Sequence, residues 1–117
     1  MKLIITTHNI DLTGAIENYV RDRLEKLDHY DPQIIDARVI LEHDHARIPK
    51  KQFKCAVRLS IPGRDLFAEG TESDLYKAID KVAKKIEQQI RTRHNKRLAK
   101  KQRAASIGKR ILREEGI

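Results

Sequence analysis

Cysteine occurs only once, at Cys55, so no disulfide can form within the chain. A lone thiol fits a reducing compartment. Long apolar runs are missing too: nowhere do about 18 apolar residues follow one another, the length that a membrane-spanning helix needs. The opening residues, MKLIITTHNIDL, carry one Lys and a short apolar run broken by Thr, His and Asn. That is not the pattern of a signal peptide. The expectation is a soluble cytoplasmic protein with no membrane partner. Its 117 residues fit one domain with a modest core.

Catalytic signatures are absent as well. There is no P-loop, no Gly-rich dinucleotide turn and no G-x-S-x-G, and the acidic residues are scattered rather than paired. Cys55 falls on the apolar side of a strand pattern, where a buried structural thiol is the commoner case. His43, Asp44 and His45 suggest a metal site, because on a strand end the two imidazoles would point the same way. With Cys55 turned inward only two good ligands remain, and zinc wants three or four. The sequence therefore implies no enzyme, no metal, no cofactor and no small-molecule substrate. His43 and His45 read as loop residues near a polyanion.

Charge is what the chain does have. The net charge is +8, and its distribution says more than its size. Residues 91–113 hold ten basic side chains and no acidic one, while the remaining 94 residues hold 15 basic and 17 acidic. A near-neutral body with a concentrated cationic end points to a polyanionic partner. An anionic membrane is the weaker candidate, because residues 91–113 lack the Leu, Phe or Trp face that an interfacial helix inserts.

Residues 2–7, KLIITT, read as a strand. Thr13 is a candidate N-cap for a first helix, whose apolar stripe runs Ile16, Val20, Leu24 and Leu27 until Asp31-Pro32 stops it. Residues 34–42 read as a second strand. Residues 52–61 alternate, with Phe53, Cys55, Val57, Leu59 and Ile61 on one face. Pro62-Gly63 signals a turn, and residues 64–70 the return strand of a hairpin. Thr71 with Asp74 resembles a capping box that opens a second helix. Its stripe is Leu75, Ile79, Val82, Ile86 and Ile90. Past Ile90 the stripe positions become Arg93 and Arg97, which no core wants. Arg and Lys are good helix formers, so the helix is expected to run on unpacked. Gly108 and Gly116 mark the last ten residues as those expected to fray.

The order β-α-β-β-β-α predicts an α+β two-layer sandwich. It has a four-stranded mixed sheet, two helices on one face, and a second helix extended by a basic C-terminal segment. Residues 1–90 form the single domain, and 91–117 the basic helical extension and fraying tail. The outward surfaces of the helices present Arg21, Lys26, Lys77, Lys81, Lys84 and Lys85. Arg91, Arg93, Lys96, Arg97, Lys100 and Lys101 continue the cationic surface along the extension. Lys and Arg at helical spacing track phosphates, with strongly salt-dependent binding. No helix-turn-helix, zinc finger or exposed aromatic pair appears, so shape and phosphate readout of structured RNA is expected. The same lysines could instead form a solvated face balanced by Asp22, Glu25, Asp80 and Glu87.

Two blocks carry a family resemblance. ITTHNIDLTGAIENYVRDRLEKLDHY resembles the opening of the bacterial ribosome hibernation-promoting factors, the family that includes ribosome-associated inhibitor A. EGTESDLYKAIDKVAKKIEQQIRTRHNK resembles their second helix, with its core at Asp74, Leu75, Tyr76, Ala78 and Ile79. The chain is similar to the short form, without the dimerisation domain of the long forms. The resemblance implies a fold similar in outline to double-stranded RNA-binding domains. It also implies binding to the small ribosomal subunit, in the channel of messenger RNA and the A- and P-site transfer RNAs. The basic helical face would contact ribosomal RNA and silence translation in stationary phase or stress. Matching family positions are Arg23, Lys26, Lys85 and Lys96. Arg23 enters the site by this resemblance, since the stripe leaves it near the core edge. A family arginine is Gln88 here, with Lys84 and Arg91 nearby to compensate. The free protein is expected to be monomeric. A ribosome-independent RNA-binding module and a tail that docks an acidic protein are the competing readings. Removing residues 91–117 is expected to leave the domain folded and to weaken ribosome binding markedly. Unchanged affinity of that truncation in a sedimentation assay would contradict the role given to the extension.

Overall fold

The computed structural model describes the backbone of residues 1–115 and the side chains of residues 1–96. Lys2–His8 forms β1, Gly14–Leu24 α1, Leu27–Tyr30 α2, Asp36–His43 β2, Phe53–Ile61 β3, Arg64–Glu72 β4 and Leu75–Glu115 α3. The sheet order is β1-β2-β3-β4, with β1 parallel to β2 and the other neighbours antiparallel. This is the expected mixed sheet of an α+β sandwich.

Strand alternation sorts the sheet into two faces. Ala37, Val39, Leu41, Cys55, Val57, Leu59, Ile61, Leu66 and Ala68 point inward and are buried. The helices cover that face alone. On the other face Ile40 and Phe67 stay exposed, Arg38 lies opposite Arg58, and the Arg58 guanidinium sits 5.8 Å from the Phe67 ring centre. Burial pushes the Cys55 thiol up to about 12, which suits a structural cysteine and not a nucleophile.

The apolar stripes fall where the sequence puts them. Ile16, Val20, Leu24 and Leu27 are buried from the α1–α2 side, and Leu75, Ile79, Val82, Ile86 and Ile90 from α3. Ala78 and Ala83 widen the α3 stripe and let the helix approach closely. Each fully buried Leu, Ile or Val contributes about 1.5–3 kcal/mol over its exposed state, so this stripe is the main anchor of the helix. At Gly70 a Cβ would come within 3.2 Å of Lys81 Cδ and 3.3 Å of Val82 Cγ2, so glycine lets β4 meet α3 there. Gly63 turns the β3–β4 hairpin with φ +93°.

Three boundaries differ from the sequence reading. The first helix does not run unbroken to Asp31. Asp28 N bonds to Glu25 O and His29 N to Lys26 O, at 3.2 Å each, and these tighter i to i+3 bonds separate α1 from α2. The capping box is not at Thr71, because β4 continues through Glu72. Asp74 caps α3 instead, its carboxylate accepting from Tyr76 N at 3.0 Å. Arg93 is not stranded outside the body: its side chain is only 21% exposed, with Nε 4.0 Å from the buried carboxylate of Asp31. The α3 backbone stays helical through Glu115, and residues 116 and 117 lie outside the described residues. A helix of 41 residues spans about 60 Å, and a nine-residue strand about 30 Å. The sheet can therefore cover only about half of α3.

Candidate nucleic-acid interface

Thr13 starts the site by starting α1. Its Oγ1 accepts from Ile16 N at 3.2 Å, which fixes the first turn. α1 then lies beside α3, and two polar clasps tie α1 and α2 to α3. In the first, the Tyr19 hydroxyl donates to Asp80 at 2.7 and 2.8 Å, and Arg23 Nε donates to the same carboxylate at 2.8 Å. The Arg23 guanidinium also lies 4.6 Å from the Tyr19 ring centre, and Tyr76 meets that ring edge-on at 4.8 Å. In the second, the Tyr30 hydroxyl donates to Glu87 at 3.0 Å, and Arg91 reaches both Glu87 at 3.0 Å and the Tyr30 oxygen at 2.6 Å. Each clasp consists of a tyrosine, a carboxylate and an arginine. Asp31 and Arg93 add a third tie just beyond.

The clasps tune their own members. Burial pushes the Asp80 pKa up, but the hydrogen bonds from Arg23 and Tyr19 and the nearby Arg23 and Lys84 charges outweigh it. The carboxylate therefore titrates below its ordinary value. The Tyr19 hydroxyl is held protonated by its bond to Asp80, with its pKa raised.

These contacts sort the surface of α3 into strips. Asp80 and Glu87 face α1 and α2 and are occupied there. Lys77, Lys84, Gln88 and Arg91 share the outward strip, and Lys81, Lys85, Gln89 and Lys96 the strip toward β4. Lys26, Lys77, Lys84 and Lys96 are exposed and have no ion pair among the described residues. Lys81 pairs with Glu72 at 3.4 Å, and Lys85 Nζ donates to the Glu69 carbonyl at 2.9 Å. Arg21 lies between Glu17 at 3.2 Å and Glu25 at 3.9 Å on its own helix. Arg23, Arg91 and Arg93 are tied into the body. The side chains of Arg97, Lys100 and Lys101 lie outside the described residues, on helical backbone. Contrary to the sequence expectation, removing 91–117 would also take away the contacts of Arg91 and Arg93 with the body, so a truncation that separates binding from folding starts at Arg97.

Asp80 and Glu87 read in the sequence as charges balancing a solvated face. They are in fact the bolts between helices, and no local signal marks a partner such as Tyr19, 61 residues from Asp80. His43 and His45 do lie together, with ring centres 3.8 Å apart, but His43 belongs to β2 and stacks on Phe53 at 4.2 Å. Among the described residues no group of three or more His, Cys, Asp or Glu could hold a metal. Among them, too, no helix is long and apolar enough to cross a membrane.

Fold and site together define a two-layer α+β protein with a lysine-rich helical ridge, and comparison with known proteins gives that class a family. Residues 3–98 match the family described as sigma 54 modulation protein / S30EA ribosomal protein, and the chain belongs to it. The ribosome hibernation promotion factor of Deinococcus radiodurans is 36% identical over 87 residues, covering 74% of this chain and 46% of that protein. The ribosome-associated factor Y of Haemophilus influenzae is 33% identical over 90 residues, covering 77% of this chain and 79% of that protein. Among solved structures, the N-terminal domain of Thermus thermophilus protein Y is similar with a TM-score of 0.66 at 29% identity, over 79% of this chain and 98% of that one.

Replacing Asp80 with Asn tests the first clasp. It removes the charge that both Arg23 and Tyr19 address, and after allowance for solvent screening the expected loss is about 1 kcal/mol. The folded-state pKa of Asp80 is depressed, so its contribution is fully present above the ordinary value of about 4 and is lost as pH falls through the lower folded value. Thermal melts should therefore separate wild type from D80N at pH 7 and converge as the pH drops below about 4.

Proposed function

We propose that this protein is a ribosome hibernation factor. It binds the small ribosomal subunit in the messenger- and transfer-RNA channel and holds translation off in stress or stationary phase. The observation that carries the reading is the ridge on α3: Asp80 and Glu87 are engaged against α1 and α2, and lysines remain on the outward and β4-facing strips. A ridge of this kind, continued by a basic helical segment, suits a groove lined by phosphates. The names of the relatives, hibernation promotion factor and ribosome-associated factor, support the same reading. The role is one of occupation and not of catalysis. The protein would act in the cytoplasm, as a monomer until it meets the ribosome, and its RNA contact would be read by shape and charge.

Sedimentation of purified protein with ribosomes and free small subunits, at physiological salt, tests this directly. Stoichiometric migration with the small subunit, together with loss of in-vitro translation, is the expected result. The binding should weaken steeply as salt rises. Absence from every ribosomal peak, with retained binding to naked duplex RNA, would favour the ribosome-independent RNA module.

A further inference from the structure

A second cationic feature lies beside the ridge. Between the free edge of β4 and the middle turns of α3 lies a groove of about 1150 Å³. That is more than an enclosed small-molecule pocket of roughly 300–1,000 Å³ usually holds, and the groove is open to solvent. Arg64, Lys85, Gln88, Thr92 and Lys96 are among its lining residues. Arg64 lies immediately after the Pro62-Gly63 turn, exposed and with no ion pair among the described residues. It lies outside both helices, so a helix-based reading of the site passes over it.

We propose that this groove seats the sugar-phosphate backbone of an RNA strand, with Arg64, Lys85 and Lys96 as its phosphate contacts. The inference rests on the ribosome-binding reading and deepens it, by extending the contact surface from the helical ridge onto the sheet edge. Two observations select RNA over an extended acidic peptide. A peptide would add to the β4 edge through backbone hydrogen bonds. The edge carbonyls of Phe67 and Glu69 already accept from Gln89 Nε2 at 2.8 Å and Lys85 Nζ at 2.9 Å, so an added strand would have to compete with both side chains. The acidic side chain at the groove, Glu69, has its carboxylate 3.3 Å from Lys54 Nζ, which offsets its charge. Lys85 gives one of its three ammonium protons to Glu69 and keeps two for a ligand. Gln88 and Thr92 add neutral hydrogen-bonding groups between the cations.

The test uses the full chain with R64E, K96E and, as a charge-matched control on the β2–β3 loop, K50E. Thermal melts establish that each variant is folded. Affinity is measured for purified small subunits, a single-stranded RNA oligonucleotide and a polyglutamate peptide over a series of salt concentrations. R64E and K96E are each expected to weaken RNA binding about tenfold and to lower the log–log salt slope by about one unit, with K50E unchanged. If wild type binds small subunits and R64E binds as K50E does, the groove proposal is overturned and the ribosome reading stands. If wild type ignores small subunits yet R64E loses oligonucleotide affinity, the ribosome reading fails and the groove stands. Polyglutamate binding that R64E abolishes, with RNA binding intact, would overturn the assignment to RNA. Failure of wild type to bind any of the three overturns both.

Discussion

The packing of α3 across the sheet is the contact on which the rest depends. Ile79, Val82, Ile86 and Ile90 are almost fully buried where the helix lies over β3 and β4. Gly70 brings helix and strand close enough for that burial. Once the stripe is seated, the rotation of the helix about its axis is fixed, and so is every other side chain on it. Asp80 and Glu87 must face α1 and α2. Lys77 and Lys84 must face solvent. Lys85, Gln89 and Lys96 must face the β4 edge. The cationic ridge is thus a consequence of core packing, placed by residues that carry no charge.

A division of labour between arginine and lysine follows. Arg23 and Arg91 meet carboxylates beside tyrosine hydroxyls, and Arg93 approaches buried Asp31. A planar guanidinium with several donors suits such shared contacts. Lys26, Lys77, Lys84 and Lys96 are point charges left unpaired on the surface among the described residues, which suits contact with phosphates of varied position. Half-exposed ion pairs contribute little individually. Their effect here is to hold two helices in one relative position, so that the cations on α1 and α3 present a single surface. Arg23 and Arg91 keep a share of their surface in solvent, at 39% and 57% of the side chain. Each can therefore hold its carboxylate and still face a phosphate.

Periodicity made most of the fold legible. Strand alternation placed Cys55, Val57 and Leu59 inward, and the helical spacings named both stripes correctly. Junctions were less readable. Thr71 and Asp74 both suit a cap, and only the two extra residues of β4 decide between them. Nothing in Glu25-Lys26 announces a break, since neither residue is a helix breaker and both keep helical dihedral angles. In the candidate site, the exposed positions Lys77 and Lys84 could be read from their angle to the stripe. Arg93 could not, because its partner Asp31 arrives through the α1–α2 bend and not through local sequence. Arg64 was hidden for a similar reason: it opens β4 just after the turn, and the groove it lines takes its other wall from α3, far along the chain.

On the proposed function, the helical side of the sandwich, and not its open sheet face, meets the RNA. Lysine acetylation of the protein, free and bound to purified small ribosomal subunits, read residue by residue by mass spectrometry, tests it most directly. Strong protection of Lys77, Lys84, Lys85 and Lys96 is expected on binding, with Lys2 and Lys54 on the sheet face as reactive as in the free protein. Protection of Lys2 and Lys54 with the four helical lysines still reactive would contradict it.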